Sequence, residues 1–388
     1  MKFGLLSVLP LMLLCYTVSS CSEDSGKGET LSGIKAKNFE TVINGDSVKL
    51  IVLNNGNGME VCLSNYGARI VSMVVPDIHG HSRNVVLGFD SIQAYFPEVD
   101  LPKLGGTIGR YTNRIGGARF ILDGDTIKIT ENNYGNSLHG GAEDGDKGWQ
   151  YKVYRIAESN DSSVLMTMRA PDGENGFPGN VDAAVRFTLS HDNSLRIDYS
   201  AITDRPTVIC MSNQSYFALS GDPENSISDL RLRINASAYL PVDSTRLVTG
   251  ELATVEGTPM DFRKEKLVGR DIDNAWHEQI KFGNGYDHAF VLDSKGSLEE
   301  AAVSLHCKRS GITMEIFTTE PSIQFYTGNF LASSLSRKQS DNFSQRHGLS
   351  LEPQHFPDSP NHPEWPSVVL RPGETYHSTS IYKFTTSK

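Results

Sequence analysis

The sequence contains few cysteines, and they lie far apart. It has 5 cysteines in 388 residues, and Cys15 and Cys21 both lie near the N-terminus. The others, Cys62, Cys210 and Cys307, are odd in number and form no Cys-x-x-Cys pair. A small fold that is cross-linked by disulfides needs an even number of cysteines. The sequence therefore excludes such a framework, and we expect these three side chains to be buried free thiols.

Positive charge and nucleotide-binding motifs are also scarce. The chain has 36 Lys and Arg against 46 Asp and Glu, a formal net charge of −10, and no basic run. Nucleic acid is therefore not expected as a main partner. The sequence has no Gly-x-Gly-x-x-Gly or Walker motif, no His-Glu-x-x-His and no Gly-x-Ser-x-Gly. These absences argue against nucleotide cofactors, a zinc-protease helix and the nucleophile elbow of serine hydrolases.

One long apolar run is present, over residues 3–18, and Pro10 interrupts it. The run is shorter than the roughly 20 residues of a transmembrane helix, and its length fits the apolar part of a signal peptide. The residues that follow, Val18-Ser19-Ser20-Cys21, resemble a bacterial lipobox. We therefore expect a lipoprotein signal peptide at residues 1–20 and lipidation of Cys21, with a plain secretory peptide as the alternative.

A lipid on Cys21 would anchor the protein to a membrane of the bacterial cell envelope. Ser22 follows the cysteine where an Asp would favour the inner membrane, so the outer membrane is preferred. Residues 21–38 are mostly polar, and such a composition buries too little apolar surface to fold alone. We expect this segment to be a flexible tether.

Strand signals dominate the rest of the chain. Residues 48–53 and 69–75 are rich in β-branched side chains, and residues 118–130 are typical of a hairpin around Asp123-Gly124. Helical periodicity is limited to segments of a turn or two at 91–95, 269–272 and 329–335. Many short strands without a dividing linker predict one large all-β domain, a sandwich or barrel, over residues 39–388.

Four polar clusters lie in predicted loops or strand ends. They contain Asn113 and Arg114, His139 before two glycines, Asp261, and Glu352 before a proline. Arg offers a fixed fork of donors for hydroxyl groups, and a desolvated Glu has the raised pKa that suits a base. Each cluster also has an ordinary explanation: polar surface residues, a structural histidine, a turn aspartate or a salt-bridged strand glutamate.

Together these clusters resemble the aldose 1-epimerase (galactose mutarotase) family across nearly the whole chain after the tether. Five further segments carry the resemblance: residues 65–68, 172–180, 285–288, 324–331 and 370–374. The resemblance implies a galactose-mutarotase-like β-supersandwich with an aldohexose in an open cleft. It implies no required cofactor. Calcium is associated with some bacterial relatives, but no ligand cluster in this sequence predicts a site. The protein could be a monomer or a dimer.

The resemblance also assigns roles to individual residues. Glu352 matches the general base that removes the proton of the anomeric hydroxyl. Asn113 and Arg114 match the pair that binds sugar hydroxyls. His139 matches a histidine beside the sugar ring.

The remaining assignments include one departure from the family pattern. Tyr216 matches a pocket tyrosine, and Asp261 is matched to the sugar-binding aspartate. Gln214, within residues 206–219, occupies the position where the family has the histidine that acts as general acid. A histidine can deliver a proton near neutral pH, whereas an amide can only donate a hydrogen bond.

Three functions follow from this pattern. In the first, the protein opens the hemiacetal ring by acid–base catalysis and closes it to the other anomer. His139, or a water held by Gln214, then replaces the missing acid. In the second, it is a catalytically weak paralogue that binds sugars. The third, glycoside hydrolysis, has the least support because no second carboxylate is clearly paired with Glu352.

Overall fold

The computed structural model describes residues 30–97, 102–141, 148–331 and 343–387, and these fold mainly into antiparallel β-strands. The strands are β1 Thr41–Ile43, β2 Asp46–Val48, β3 Leu50–Asn54, β4 Glu60–Ser64, β5 Arg69–Pro76, β6 Ser82–Asn84, β7 Thr107–Ile108, β8 Arg114–Ile115, β9 Arg119–Leu122, β10 Asp125–Lys128, β11 Ser137–Leu138, β12 Arg155–Ser159, β13 Ser163–Ala170, β14 Val181–Leu189, β15 Ser194–Thr203, β16 Thr207–Val208, β17 Ser212–Asn213, β18 Tyr216–Phe217, β19 Arg231–Ile234, β20 Ala236–Tyr239, β21 Ala253–Thr254, β22 Lys266–Leu267, β23 Asp287–Leu292, β24 Val303–Cys307, β25 Ile312–Thr318, β26 Ser322–Tyr326, β27 Leu349–Gln354, β28 Val369–Leu370 and β29 Tyr376–Thr386.

Helical structure in this part of the chain is short. Helix α1 spans Glu278–Gly283 and ends at Asn284, whose left-handed backbone lets its N–H reach the Ile280 carbonyl. Single 3₁₀ turns occur at Ala36–Phe39, Ile92–Tyr95, Gly116–Ala118, Trp149–Tyr151, Glu174–Gly176, Ile227–Asp229, Val268–Arg270 and Ser359–Asn361. Two of the predicted helical segments are therefore 3₁₀ turns, and the third lies partly outside the described residues. No helix among these residues has the length and apolar character needed to cross a membrane.

Two large sheets form the body of the domain. One has nine strands in the order β12-β13-β14-β15-β29-β25-β24-β19-β22, and the other has six in the order β18-β27-β26-β23-β20-β21. The predicted hairpin around Asp123-Gly124 is confirmed as β9 and β10. Its two turn residues have φ of 52° and 91°, the positive values that a type I′ turn requires. The architecture confirms the predicted all-β single domain.

The main apolar core is shared by the two large sheets. Every second residue of β14 from Val181 to Leu189 is buried, because successive side chains of a strand point to opposite faces. Phe325 of β26, with Leu349 and Leu351 of β27, belongs to the same apolar cluster. Strand β27 is buried along its whole length, so its alternate face, which carries Glu352, is covered by other parts of the protein.

The tether is shorter than the sequence predicts. The Leu31 N–H donates to Glu60 Oε1 at 2.7 Å, and Ile34 and Phe39 are buried. The prediction of a flexible segment up to residue 38 is therefore wrong for residues 30–38. Ile34 anchors this segment to the domain, next to Phe39 of the predicted domain, and the polar residues around Ile34 conceal this in the sequence. The signal peptide at residues 1–20, Cys21 and the first part of the tether lie outside the described residues.

The three remaining cysteines behave as predicted. Cys62, Cys210 and Cys307 are buried free thiols.

Candidate functional site

A cavity of about 210 Å³ opens on the face of the six-stranded sheet that lies opposite the core. All of the sequence-predicted sugar-site residues except Asp261 line it: Asn113, Arg114, His139, Gln214, Tyr216 and Glu352. Residues that lie up to 239 positions apart in the sequence are thus brought together, from Asn113 to Glu352.

Three neighbouring strands supply the floor of this cavity. Glu352 of β27 is directly opposite Gln324 of β26, and Tyr326 of β26 is opposite Asp287 of β23. The Gln324 amide Nε2 donates to Asp287 Oδ1 at 2.7 Å, which fixes the orientation of that carboxylate. The antiparallel register therefore presents a carboxyl, an amide and a second carboxylate side by side.

Glu352 has the electrostatic character of a base. Its side chain is almost completely buried, and this desolvation raises its pKa to about 8. The negative charge of Asp287 raises the pKa further, whereas the Arg114 guanidinium opposes the shift. A carboxylate with a pKa near 8 accepts a proton much more readily than an ordinary glutamate does.

Hydrogen bonds next to the β8–β11 pair hold Asn113 and His139 at the wall of the cavity. Strand β8 pairs with β11, so that Arg114 is opposite Leu138. Beyond this pair, the His139 N–H donates to the Asn113 carbonyl at 3.0 Å, and the Asn113 N–H donates to His139 Nδ1 at 3.3 Å. Because Nδ1 accepts this bond, the ring proton resides on Nε2.

His139 is a neutral imidazole in this setting. Burial lowers its pKa well below the usual value, and the positive charges of Lys103 and Arg114 lower it further. The ring can donate a hydrogen bond through Nε2–H, but its protonated form is strongly disfavoured.

Arg114 is a buried cation on the same wall. Its Nε donates to Asn133 Oδ1 at 2.9 Å, and its side chain is largely excluded from solvent. Burial lowers the pKa of its guanidinium, and the nearby Asp287 carboxylate opposes that shift. An arginine keeps its charge in proteins, so Arg114 provides a positively charged group with several donors inside the cavity.

Gln214 presents an incompletely bonded amide to the cavity. Its Nε2 donates to the Tyr216 hydroxyl over a long 3.4 Å. Its Oε1 is buried and has no hydrogen-bond partner among the described residues. A buried unpaired amide oxygen costs about 1–3 kcal/mol. A sugar hydroxyl or a water molecule that donates to this oxygen would remove that cost.

Asp261 is the one sequence-predicted residue that lies elsewhere. It lines a separate cleft of about 820 Å³ and pairs with Arg263, whose Nη2 is 2.8 Å from Asp261 Oδ2. The hydrogen bond from Arg263 lowers the pKa of Asp261. The assignment of Asp261 to the sugar site is therefore corrected to Asp287, which lines the cavity. Residues 285–288, which include Asp287, carry the family resemblance, so the sequence did contain a signal for Asp287.

Other cavity residues were missed by sequence reasoning. Gln324 and Tyr326 lie within the matching segment 324–331, so a signal for them existed. Arg246 also lines the cavity, and its guanidinium lies 5.1 Å from the centroid of the Phe330 ring. No motif in the sequence indicated that Arg246 belongs to the site. The cavity thus combines charged, amide and aromatic groups, a mixture suited to a polyhydroxylated ring.

Comparison with known proteins agrees with this site. The family model described as Aldose 1-epimerase matches residues 49–383. The chain is 38% identical over 342 residues to the aldose 1-epimerase of Escherichia coli K12, covering 88% of this chain and 96% of that protein. It is 38% identical over 328 residues to the galactose mutarotase of Homo sapiens, covering 84% and 91%. The crystal structure of galactose 1-epimerase from Lactobacillus acidophilus superposes with a TM-score of 0.77 at 28% identity, covering 90% of this chain and 97% of that chain.

The backbone position of His139, and with it the hydrogen bonds to Asn113, depends on the glycine that follows. Gly140 has φ of 74°, and a Cβ at this position would lie 2.3 Å from the Gly109 carbonyl oxygen. We expect Gly140→Ala to lower the free energy of unfolding by about 2 kcal/mol or more, because backbone strain and a backbone clash combine. Urea unfolding followed by tryptophan fluorescence measures this loss.

Gly124→Ala is the matched control for this change. Gly124 has φ of 91°, but a Cβ there meets nothing within 4 Å, so only the backbone strain remains. Equal losses in the two variants would contradict the close approach at Gly140.

Proposed function

The chain belongs to the aldose 1-epimerase family, and we propose that Glu352 is the general base of its reaction. The protein is an isomerase that interconverts the α and β anomers of hexoses such as glucose and galactose. The observation that supports the role of Glu352 is its position. It is a buried carboxyl with a raised pKa, beside the donors and acceptors that a sugar requires.

The reaction needs one group to take a proton and one to give it. The Glu352 carboxylate removes the proton of O1, the bond between C1 and the ring oxygen breaks, and the ring oxygen takes up a proton. The resulting aldehyde turns about the C1–C2 bond, and closure with the proton transfers reversed yields the other anomer. No step requires a cofactor.

The cavity walls orient the sugar for this chemistry. We assign Asn113 and Arg114 to the binding of sugar hydroxyls, together with Asp287 in place of Asp261. Asp287 accepts hydrogen bonds from hydroxyls, whereas Arg114 donates them, so together they fix the ring relative to Glu352.

The proton for the ring oxygen comes, in this proposal, from a water molecule bound at Gln214 and Tyr216, and the hydroxide that remains takes this proton back when the ring closes. Gln214 has no proton to give at neutral pH. The low pKa of His139 argues against an imidazolium donor, so we assign this ring to a hydrogen bond with the sugar through Nε2–H. The unpaired Gln214 Oε1 and the nearby Tyr216 hydroxyl offer polar partners for such a water.

A sugar-binding protein of low activity is the second candidate, and the presence of Gln214 at the acid position favours it. Losing a general acid typically lowers a rate by about 10²- to 10⁴-fold. Glycoside hydrolysis has less support, because the second carboxylate of the cavity, Asp287, is already bonded to Gln324.

We further propose that the protein is a lipoprotein of the bacterial cell envelope, attached to the outer membrane through Cys21. The support is the apolar run at residues 3–18 and the Val18-Ser19-Ser20-Cys21 sequence. Mass spectrometry of the mature N-terminus should find a diacylglyceryl group on this cysteine. A mature chain that begins at another residue would exclude the proposal.

Mutarotation of freshly dissolved α-glucose and α-galactose tests the proposed function. We expect the protein to speed relaxation to the anomeric equilibrium, measured by polarimetry and by NMR. Because Glu352 acts as the carboxylate and its pKa is about 8, kcat/KM should fall about tenfold per pH unit below 8. Glu352→Gln should remove the acceleration. Relaxation no faster than in buffer, with saturable sugar binding, would support the binding protein instead.

Restoring the family histidine tests the origin of the second proton. We expect Gln214→His to raise kcat tenfold or more, because a general acid then replaces water. His139→Ala should lower kcat but leave measurable mutarotation, since His139 contributes only a hydrogen bond. Gln324→His, an amide-to-histidine change on the cavity floor, is the control and should not raise kcat. An unchanged kcat in Gln214→His, with no activity in His139→Ala, would assign the acid to His139.

A further inference from the structure

Three side chains with metal-ligating atoms meet outside the sugar cavity. The Cys210 thiol, a Glu320 carboxylate oxygen and a His355 ring nitrogen all lie within 4.8 Å of one another. Cys210 lies between β16 and β17, Glu320 between β25 and β26, and His355 directly after β27. Three separate segments of the fold therefore supply one donor each.

The three groups already interact. His355 Nδ1 is 2.6 Å from Glu320 Oε2, and the His355 N–H donates to Cys210 Sγ at 3.3 Å. A backbone N–H that points at a sulfur stabilises a thiolate, which is the form that binds metals. Burial of the free thiol has the opposite effect and raises its pKa, so a bound cation is needed to favour the thiolate.

The spacing and accessibility suit a small divalent cation. Bonds of about 2.0–2.3 Å in a tetrahedral zinc site place ligand atoms roughly 3.3–3.8 Å apart. The three ligand atoms lie within 4.8 Å of one another, and His355 Nδ1 and Glu320 Oε2 are closer than the zinc spacing at 2.6 Å, so side-chain movements must adjust these separations when the cation binds. His355 is 20% exposed at its side chain and lines a second cavity of about 400 Å³, together with Glu374, Tyr376 and His377. This cavity offers an entry path and room for a water molecule as fourth ligand.

We propose that Cys210, Glu320 and His355 form a zinc-binding site. Thiolate, imidazole and carboxylate are the donors that Zn²⁺ takes in proteins, whereas Ca²⁺ and Mg²⁺ require oxygen ligands. Binding releases the thiol proton, and the cation replaces the hydrogen bond between His355 Nδ1 and Glu320 Oε2.

Zinc at this position would tie together the segments that carry the sugar site. The Thr112 N–H, one residue before Asn113, donates to the Cys210 carbonyl at 2.9 Å. Gln214 follows Cys210 by four residues, and His355 follows Glu352 by three. The cation therefore acts as a structural clamp behind the cavity, and its main effect should be on stability.

Cobalt substitution tests the site in the purified full-length protein. After treatment with a chelator, addition of Co²⁺ should produce a thiolate-to-cobalt charge-transfer band and the d–d bands of a tetrahedral ion, and Zn²⁺ should displace them. Cys210→Ser and His355→Gln should lose these bands, whereas Cys307→Ser, a change at another buried free thiol, should keep them. Zn²⁺ should raise the Tm of the parent protein by several degrees and leave that of Cys210→Ser unchanged.

The opposite results would overturn the proposal. These are a parent protein without the charge-transfer band, or a Cys210→Ser variant that keeps it. Should Cys210→Ser fail to fold, X-ray absorption of the zinc-loaded parent protein decides. Sulfur at about 2.3 Å supports the site, and a shell of nitrogen and oxygen alone rejects it.

Discussion

The desolvation of one carboxyl, that of Glu352, is the constraint on which the site depends. The carboxyl lies on a strand that is buried on both faces, and this raises its pKa from an ordinary value to about 8. Folding favours the protonated form, so the stability that this group supports is complete below the unfolded pKa near 4.5 and is lost as the pH rises through 8. At neutral pH the burial of Glu352 therefore lowers the stability of the fold and raises the affinity of this carboxylate for a proton.

The rest of the architecture makes that burial compatible with catalysis. Leu349 and Leu351 anchor β27 in the core, and the alternation of the strand then turns Glu352 toward the cavity. The neighbouring strands add Asp287 and Gln324, and the β8–β11 pair adds Arg114 from the opposite wall. Each of these groups lies on regular backbone or in a hydrogen-bonded turn, which holds the site in place before a sugar arrives.

Much of this site could be predicted from the sequence because its motifs retain their order along the chain. Glu352, Arg114 and Gln214, which the motifs indicate, all line the cavity. Asp261 was not correctly identified, because the sequence does not show that Asp287, at the start of β23, faces the cavity whereas Asp261 lines a separate cleft. The grouping of Cys210, Glu320 and His355 could not be foreseen either, since only the sheet topology brings residues so far apart in the sequence together. Packing of residues 30–38 likewise depends on one buried apolar side chain, Ile34, within a polar segment.

A direct titration of the Glu352 carboxyl tests whether burial raises its pKa. Infrared difference spectra of the sugar-free protein, with Glu352→Gln as the reference, isolate the stretching band of its protonated form. We expect this band to disappear with a midpoint near pH 8. A midpoint near 4.5, the value of an ordinary glutamate, would contradict it.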